Sequence, residues 1–460
     1  MDQELDTNAD TLTKTLCGYL AQTQFSDLSS RAVNEARRGV LDWLGCALAG
    51  SQHPAIGILL VVLQAAGGGA QATVFGRNLK LGLLDAPLAN GQMGHLYDFD
   101  DTHMGGVLLH TSSPVLSALF ALAERAPVSG RDFMLAYAVG FEAGVRAGLA
   151  APEHHSGGWH LTGTLGSIAA GVAAGKLISL NKQLLTYAMG IAATQAAGMQ
   201  QNRGTLCKSF HAGKAGANGV LAALLAEQGF DSTQEIIEGA KGFCRIYSKT
   251  AVPEQLTAGL AANGTPWLIE SNGHKPYACG VVLHPLIDAV IALRAKAQIA
   301  SADIDEIRLR VHPLVLSITG VVEPSTGLQS KFSLYHSAAA AYVDGSAGIV
   351  QYTDAKANDP TLVALRRKVR PVADASLQKE EAHVSIVAGG VTHEVHVPHA
   401  SGTALNPMSD AAINAKFLAN AEPVIGGDRA QRVCERVWAL ERLADMRDLI
   451  TLLANGPGSA

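Results

Sequence analysis

Ile304-Asp305-Glu306-Ile307-Arg308-Leu309-Arg310-Val311 decides the fold of this chain. Its apolar residues Ile304, Ile307, Leu309 and Val311 alternate in part with charged ones, the two-residue period of a strand with one buried face. A second strand pair is expected at Ala382–Val387 and Thr392–Val397, joined by Ala388-Gly389-Gly390-Val391, a good hairpin turn. Around these strands the period changes to that of helices. Pro285–Lys296 precedes them, and Ser337–Tyr342 and Leu362–Val369 lie between them.

Upstream, from Leu12 to about Leu268, helical signals dominate. In Ser29–Leu48 the residues Val33, Ala36, Val40, Leu41 and Leu44 fall on one helical face, while Glu35, Arg37 and Arg38 face water. Pro114–Ala126, Gly130–Leu149, Gly166–Leu180, Lys182–Met199 and Gly213–Gln228 read the same way, mostly bounded by Gly, Pro, Asn or Ser. The tail from Ser409 to Leu453 returns to helix. The expected architecture is mainly α: a large all-helical domain (1–268 and 405–460) interrupted by a smaller α+β domain (269–404).

Composition supports this. A chain of 460 residues exceeds a single ordinary core. It is 48% hydrophobic and only 16% charged, which excludes disorder. Aromatics are 5% while Ala and Gly are abundant, and small residues let helices approach closely. A net charge of −5 offers no basic face for nucleic acid or an anionic membrane, so a substrate anion must be met by local Lys and His. The cysteines Cys17, Cys46, Cys207, Cys244, Cys279 and Cys434 lack regular spacing and read as reduced thiols. The opening MDQELDTNAD has no hydrophobic signal region, and apolar runs such as Ile58–Leu63 are far below the ~20 residues that span a bilayer. A cytoplasmic protein is expected.

Five segments carry chemistry-bearing residues. In Gly94–His103, Asp98, Asp100 and Asp101 crowd together with His95, His103 and nearby His110. This suits a metal site, an acid–base site whose members shift one another's pKa, or a capped helix end. Gly157–Thr164 sets His160 in a Gly-flanked loop ahead of a helix, where anions bind readily. Asn202–Lys214 brings Arg203, Lys208, His211 and Lys214 together just before a helix, without the glycine spacing of a nucleotide loop. Lys275 and Tyr277 follow at the junction between the expected domains, and Lys331–His336 precedes a short helix. Nucleophile-elbow and dinucleotide signatures are absent from the sequence.

Taken in order, Asp98-Phe99-Asp100-Asp101-Thr102-His103, Gly158–Thr164, Lys208-Ser209-Phe210-His211, Lys275-Pro276-Tyr277, Lys331-Phe332-Ser333-Leu334 and Asn406-Pro407-Met408-Ser409 resemble the MmgE/PrpD family. That family includes 2-methylcitrate dehydratase, cis-aconitate decarboxylase and iminodisuccinate epimerase. The resemblance implies an enzyme with a large helical domain and an α+β lid, in a homodimer. It implies a small polycarboxylate substrate and neither metal nor organic cofactor. It places Asp98, Thr102, His110, His160, Lys208 and Lys275 at the active site, with Asp98 and His160 as acid–base groups and the two lysines on substrate carboxylates. His211, Tyr277 and His336 are further candidates, His336 as an acid and the other two as substrate contacts. Three positions depart from many relatives: His110-Thr111-Ser112 replaces His-Pro-Ser, His336 replaces a Tyr, and Gly280 replaces a His.

The implied chemistry is removal of a proton beside a carboxylate, with lysines and a near-neutral imidazole sharing the work. Loss of hydroxide then makes a dehydratase, the favoured outcome. Reprotonation on the other face makes an epimerase, and departure of carbon dioxide with protonation at carbon makes a decarboxylase. The rivals are a carboxylate-binding homologue without catalysis and a metal-dependent hydratase built on Asp98, Asp100, Asp101 and His103.

Overall fold

A computed structural model describes residues 10–260 and 264–454, so most of the polar opening stretch read above lies outside the described residues. The chain is mainly α with a smaller α+β part. The described residues divide into two compact units: those within 10–96, 100–272 and 413–454 form the first, and residues 97–99 with 273–412 form the second.

The first unit is helical because its sequence offers long runs of small and apolar residues. The helix Gly130–Leu149 begins at the Ser129 N-cap and buries all but a few of its side chains. Leu161–Leu177 is buried nearly all round, as expected for a central helix rather than an amphipathic surface one. It packs on Leu206–Glu227, which in turn packs on Asp85–His95. Two glycines make this spacing possible. A Cβ on Gly213 would sit 2.0 Å from the Leu88 carbonyl oxygen, and one on Gly219 would sit 2.4 Å from the Ala170 side chain. Both distances are shorter than any real carbon contact, so only glycine fits.

A second layer is aromatic. Trp43 on the helix Ser30–Ser51 stacks on Phe120 with ring centroids 5.8 Å apart, and Phe120 meets Phe133 at 4.8 Å. The helix that holds Phe417 returns to this layer from the C-terminal end of the chain. There a buried ion pair, Lys416 Nζ to Asp42 Oδ1 at 2.6 Å, ties it to Ser30–Ser51. No single helix among the described residues is long and apolar enough to cross a membrane. Ser30–Ser51 and Pro54–Ala66 pass that test only as a pair bent by 83°.

The second unit contains a four-stranded sheet. Glu306–Val311 lies inside it, parallel to Val369–Ala373 and antiparallel to Ala382–Ala388, which pairs in turn with Val391–Val397. Ile307, Leu309 and Val311 face the core while Arg308 and Arg310 face out, as the alternation predicts. The hairpin turn uses Gly389 and Gly390, both with positive φ (55° and 78°), which is why this pair and not bulkier residues stands there.

Four boundaries differ from expectation. Leu161–Leu177 starts five residues before the predicted Gly166, and Leu206–Glu227 starts seven before Gly213. The helix after Lys182 stops at Ala193 instead of Met199. Val369 belongs to a strand, Val369–Ala373, which the helical period of Leu362–Val369 hid. Its Pro371 is tolerated because this strand is at the sheet edge.

The glycine contacts make a direct prediction. Gly213→Ala should destabilise the protein by about 1–3 kcal/mol or more through overpacking, read as a fall in melting temperature. Gly57→Ala, in the helix Pro54–Ala66, is the control: a Cβ there meets no atom within 4 Å. An unchanged melting temperature for Gly213→Ala would show that the helices can part without loss.

Candidate active site

The helix Asp85–His95 ends on His95, and the chain then turns through a short segment before Asp100. His95 Nδ1 lies 2.9 and 3.0 Å from the two carboxylate oxygens of Asp100. Both side chains are fully buried. Asp100 also accepts from Ser113 Oγ at 2.9 Å, and Ser113 accepts from the indole of Trp43 at 3.0 Å. The aromatic core thus fixes the carboxylate, which fixes the imidazole with its Nδ1 turned inward. His95 Nε2 has no hydrogen-bond partner among the described residues.

Asp101 points elsewhere. Its Oδ2 accepts from Ser112 Oγ at 2.5 Å and from Asn272 Nδ2 at 2.6 Å, and Ser112 also meets the buried Tyr137 hydroxyl. Ser112 and Ser113 open the helix Ser112–Arg125. Two buried carboxylates therefore stand against a helix N-terminus, where the macrodipole favours negative charge.

The backbone carbonyl of Asp101 receives His110 Nδ1 at 2.8 Å, with Thr102 Oγ1 3.0 Å from the same nitrogen. An Nδ1 proton donated to a carbonyl leaves the lone pair of the neutral ring on Nε2. The His110 ring lies 4.7 Å from that of His95 between centroids.

His160 is the N-cap of Leu161–Leu177, and its ring stacks on His95 at 5.5 Å. Its Nδ1 is 3.0 Å from Nδ1 of His211. His211 and Lys208 occupy the opening turns of Leu206–Glu227. The first turns of two long helices thus meet beside one group of imidazoles. Burial, then the Lys208 ammonium, then the other histidines push the His160 pKa well below the ordinary 6.5. Burial, His95 and Lys208 push His211 down as well. His160 and His211 are thus held as neutral, proton-accepting imidazoles beside the Lys208 ammonium, which suits an anion that must lose a proton.

The second unit holds Asp98 and Lys275. Asp98 takes a left-handed backbone conformation (φ 53°), tolerable for Asp. The buried Lys275 donates from Nζ to the Asp98 carbonyl and to its Oδ1, each at 2.8 Å. Lys331 Nζ donates to the carbonyls of Tyr97 and Ala278 at 2.6 and 2.8 Å, and lies 5.6 Å from the centre of the Tyr352 ring.

The predicted residues thus fall into two groups. Thr102, His110, His160, Lys208 and His211 come together in the first unit, and Asp98 with Lys275 in the second. Two candidates are turned to other partners. The Tyr277 hydroxyl donates to Asp288 at 2.6 Å. His336 is fully buried behind Tyr352, with Nε2 2.8 Å from the Gln351 carbonyl, and burial pushes its pKa down. Residue patterns passed over His95 as a site residue, although it opens the Asp-rich segment. Its signal is the helix end, which carries His95 to the segment bearing Asp100. Lys208 and His211, expected in a loop, are helical, so their spacing of three puts them on one face.

Of the metal set suggested by the sequence, Asp101 and His103 do not converge with Asp100. Asp100, Asp101 and His103 face different partners, His103 binding the Val107 carbonyl at 2.8 Å. A different trio, His95, Asp100 and His110, brings donor atoms within 4.8 Å of one another.

A mainly helical protein with a smaller α+β unit and a buried imidazole–carboxylate cluster is built for acid–base chemistry on anions. The chain belongs to the MmgE/PrpD family: the family's N-terminal domain matches residues 14–256 and its C-terminal domain residues 277–440. It is 28% identical to cis-aconitate decarboxylase of Aspergillus terreus (strain NIH 2624 / FGSC A1156), over 98% of each chain. It is 26% identical to the cis-aconitate decarboxylase of Mus musculus (97% of this chain, 94% of the relative) and 27% identical to that of Homo sapiens (94% and 92%).

Ring titration by NMR with ¹⁵N-histidine labelling should find His160 still neutral at pH 6, and Lys208→Ala should raise its pKa by removing a cation. Folding stability should follow the same sign. Because burial lowers the folded pKa of His103, His154, His160, His211 and His336, the unfolded chain takes up protons first. Stability is whole above pH ~6.5 and falls as pH drops below it, visible as a melting temperature lower at pH 5 than at pH 7.

Proposed function

We propose that this protein is a lyase that acts on a small polycarboxylate through a carbanion stabilised by an adjacent carboxylate, without metal or organic cofactor. The observation that carries the proposal is the imidazole group His95, His110, His160 and His211, with His160 and His211 held neutral by burial beside Lys208. A carbon-bound proton next to a carboxylate is weakly acidic, and removing it drives negative charge onto the carboxylate oxygens. Lys208 and the two helix N-termini lower the energy of that charge. His160 takes the proton, with His211 as the partner that receives or orients the second ring proton. His110 holds its free Nε2 as a second acid–base group. The family resemblance gives Asp98 and Lys275 roles as acid–base group and carboxylate contact.

Dehydration of a hydroxylated polycarboxylate is the favoured reaction. Decarboxylation is the alternative that the names of the relatives bring forward, with cis-aconitate as the substrate to try. His336 and Gly280, where many relatives have Tyr and His, weigh against carrying that activity over unchanged. Epimerisation of a dicarboxylate uses the same first step. The protein is proposed to act in the cytoplasm as a homodimer.

The test is incubation with methylcitrate, cis-aconitate and iminodisuccinate in D₂O, followed by NMR. Solvent deuterium at the reacting carbon is expected with one of them, and the product identifies the branch: alkene from a lost hydroxyl, loss of carbon dioxide, or inverted substrate. His160→Ala should lower turnover by about 10²–10⁴-fold, and EDTA should leave it unchanged. Binding of all three without exchange or product would sink the catalytic reading and leave a carboxylate-binding protein.

A further inference from the structure

The sheet of the second unit carries a cluster that the acid–base chemistry does not use. His383 on Ala382–Ala388 and His396 on Val391–Val397 are directly opposed in the antiparallel register. Their rings lie face to face, centroids 3.9 Å apart and only 4° from parallel. Glu381 immediately precedes the first of these strands. One of its oxygens, Oε1, lies 2.8 Å from His396 Nε2 and 3.9 Å from His383 Nε2. Ligand atoms of all three residues lie within 4.8 Å of one another.

A single hydrogen bond does not explain this convergence. Glu381 satisfies His396, but 3.9 Å is too long to satisfy His383. Two imidazoles turned toward one carboxylate oxygen form the His₂–carboxylate donor set that divalent zinc and its neighbours prefer, with a position left for water. The scaffold is firm. The other Glu381 oxygen accepts from the Gln378 N–H at 2.9 Å, and the paired strands fix both histidines. Arg310, paired with His383 from the other neighbouring strand and so on the same face, is engaged by Asp374 at 2.6 Å. Both ring side chains remain open to solution, 36% and 44% exposed, so an ion can enter without unfolding the sheet.

We propose that Glu381, His383 and His396 form a binding site for a divalent transition ion of the zinc class. The ion would clamp the segment leading into Ala382–Ala388 onto the strand Val391–Val397 at the edge of the sheet. This inference is independent of the proposed catalysis. The rings are parallel, so each rotates out of the stack to aim its Nε2 lone pair at one ion, and the Glu381 carboxylate moves off His396 to meet it.

Metal-stripped protein is titrated with ZnCl₂ by calorimetry and with CoCl₂ by visible absorption, and thermal unfolding is followed with and without zinc. One equivalent should bind with a tetrahedral cobalt spectrum, and zinc should raise the melting temperature. His383→Ala and His396→Ala should each weaken binding roughly tenfold or more, since even indirect partners of metal ligands cost that much. Circular dichroism verifies that the variants fold, as both substitutions lie on the outer face of the sheet. His110→Ala serves as the counter-variant for the trio His95, Asp100 and His110. Zinc binding that survives the His383→Ala/His396→Ala double substitution unchanged, or that disappears in His110→Ala instead, overturns the proposal, as does no binding at all.

Discussion

Close approach between helices is the constraint on which this molecule depends. Asp85–His95, Leu161–Leu177 and Leu206–Glu227 touch through glycine and alanine, with no room for a Cβ at Gly213 or Gly219. Small residues forgo the burial that large side chains bring, roughly 25 cal/mol per Å². They gain backbone proximity, so helix ends meet at a separation that a Leu-rich interface would not allow. His95 at the end of one helix, His160 at the cap of another and His211 in the opening turns of the third come into ring contact for that reason.

Once assembled, the group is governed by burial. Imidazolium is penalised in a water-poor setting, and Lys208 adds a like charge, so His160 and His211 stay neutral below the usual range. The carboxylates survive burial for the opposite reason. Asp100 and Asp101 are met by serine hydroxyls at a helix start, and by His95 and Asn272. Buried carboxyl groups thus stand where donors exist, and His160 and His211 are kept uncharged where a proton must be received. The chain from Trp43 through Ser113 and Asp100 to His95 shows how the core is coupled to this balance. Its rigidity comes from stacked rings, while its last member carries an unpartnered nitrogen.

Much of this was legible in residue patterns. The alternation of Glu306–Val311, the Gly389-Gly390 turn and the bounds of Gly130–Leu149 follow from local periods and backbone preferences. The edge strand Val369–Ala373 was hidden because five residues containing a proline carry almost no period, and its pairing partner is far away in sequence. Lys208 and His211 read as a loop because the expected helix begins only at Gly213. The glycine at 213 serves packing within the helix. Tyr277 and His336 were singled out by position in family segments, but their hydrogen bonds depend on Asp288 and on the Gln351 carbonyl, neither of which sequence spacing can assign.

By itself the sequence determined the position of most long helices and of three of the four strands in the sheet, that small residues build the helical part, and which family the chain resembles. These are properties of composition and of periods a few residues long. Tertiary structure alone decided that Asp100 faces His95 while Asp101 faces Ser112 and Asn272, and that His160 and His211 share a contact across 51 positions of chain. It also decided that His383 and His396 stack. The physical reason is that side-chain direction and charge balance arise only when distant segments exclude water together, a term that no local stretch contains.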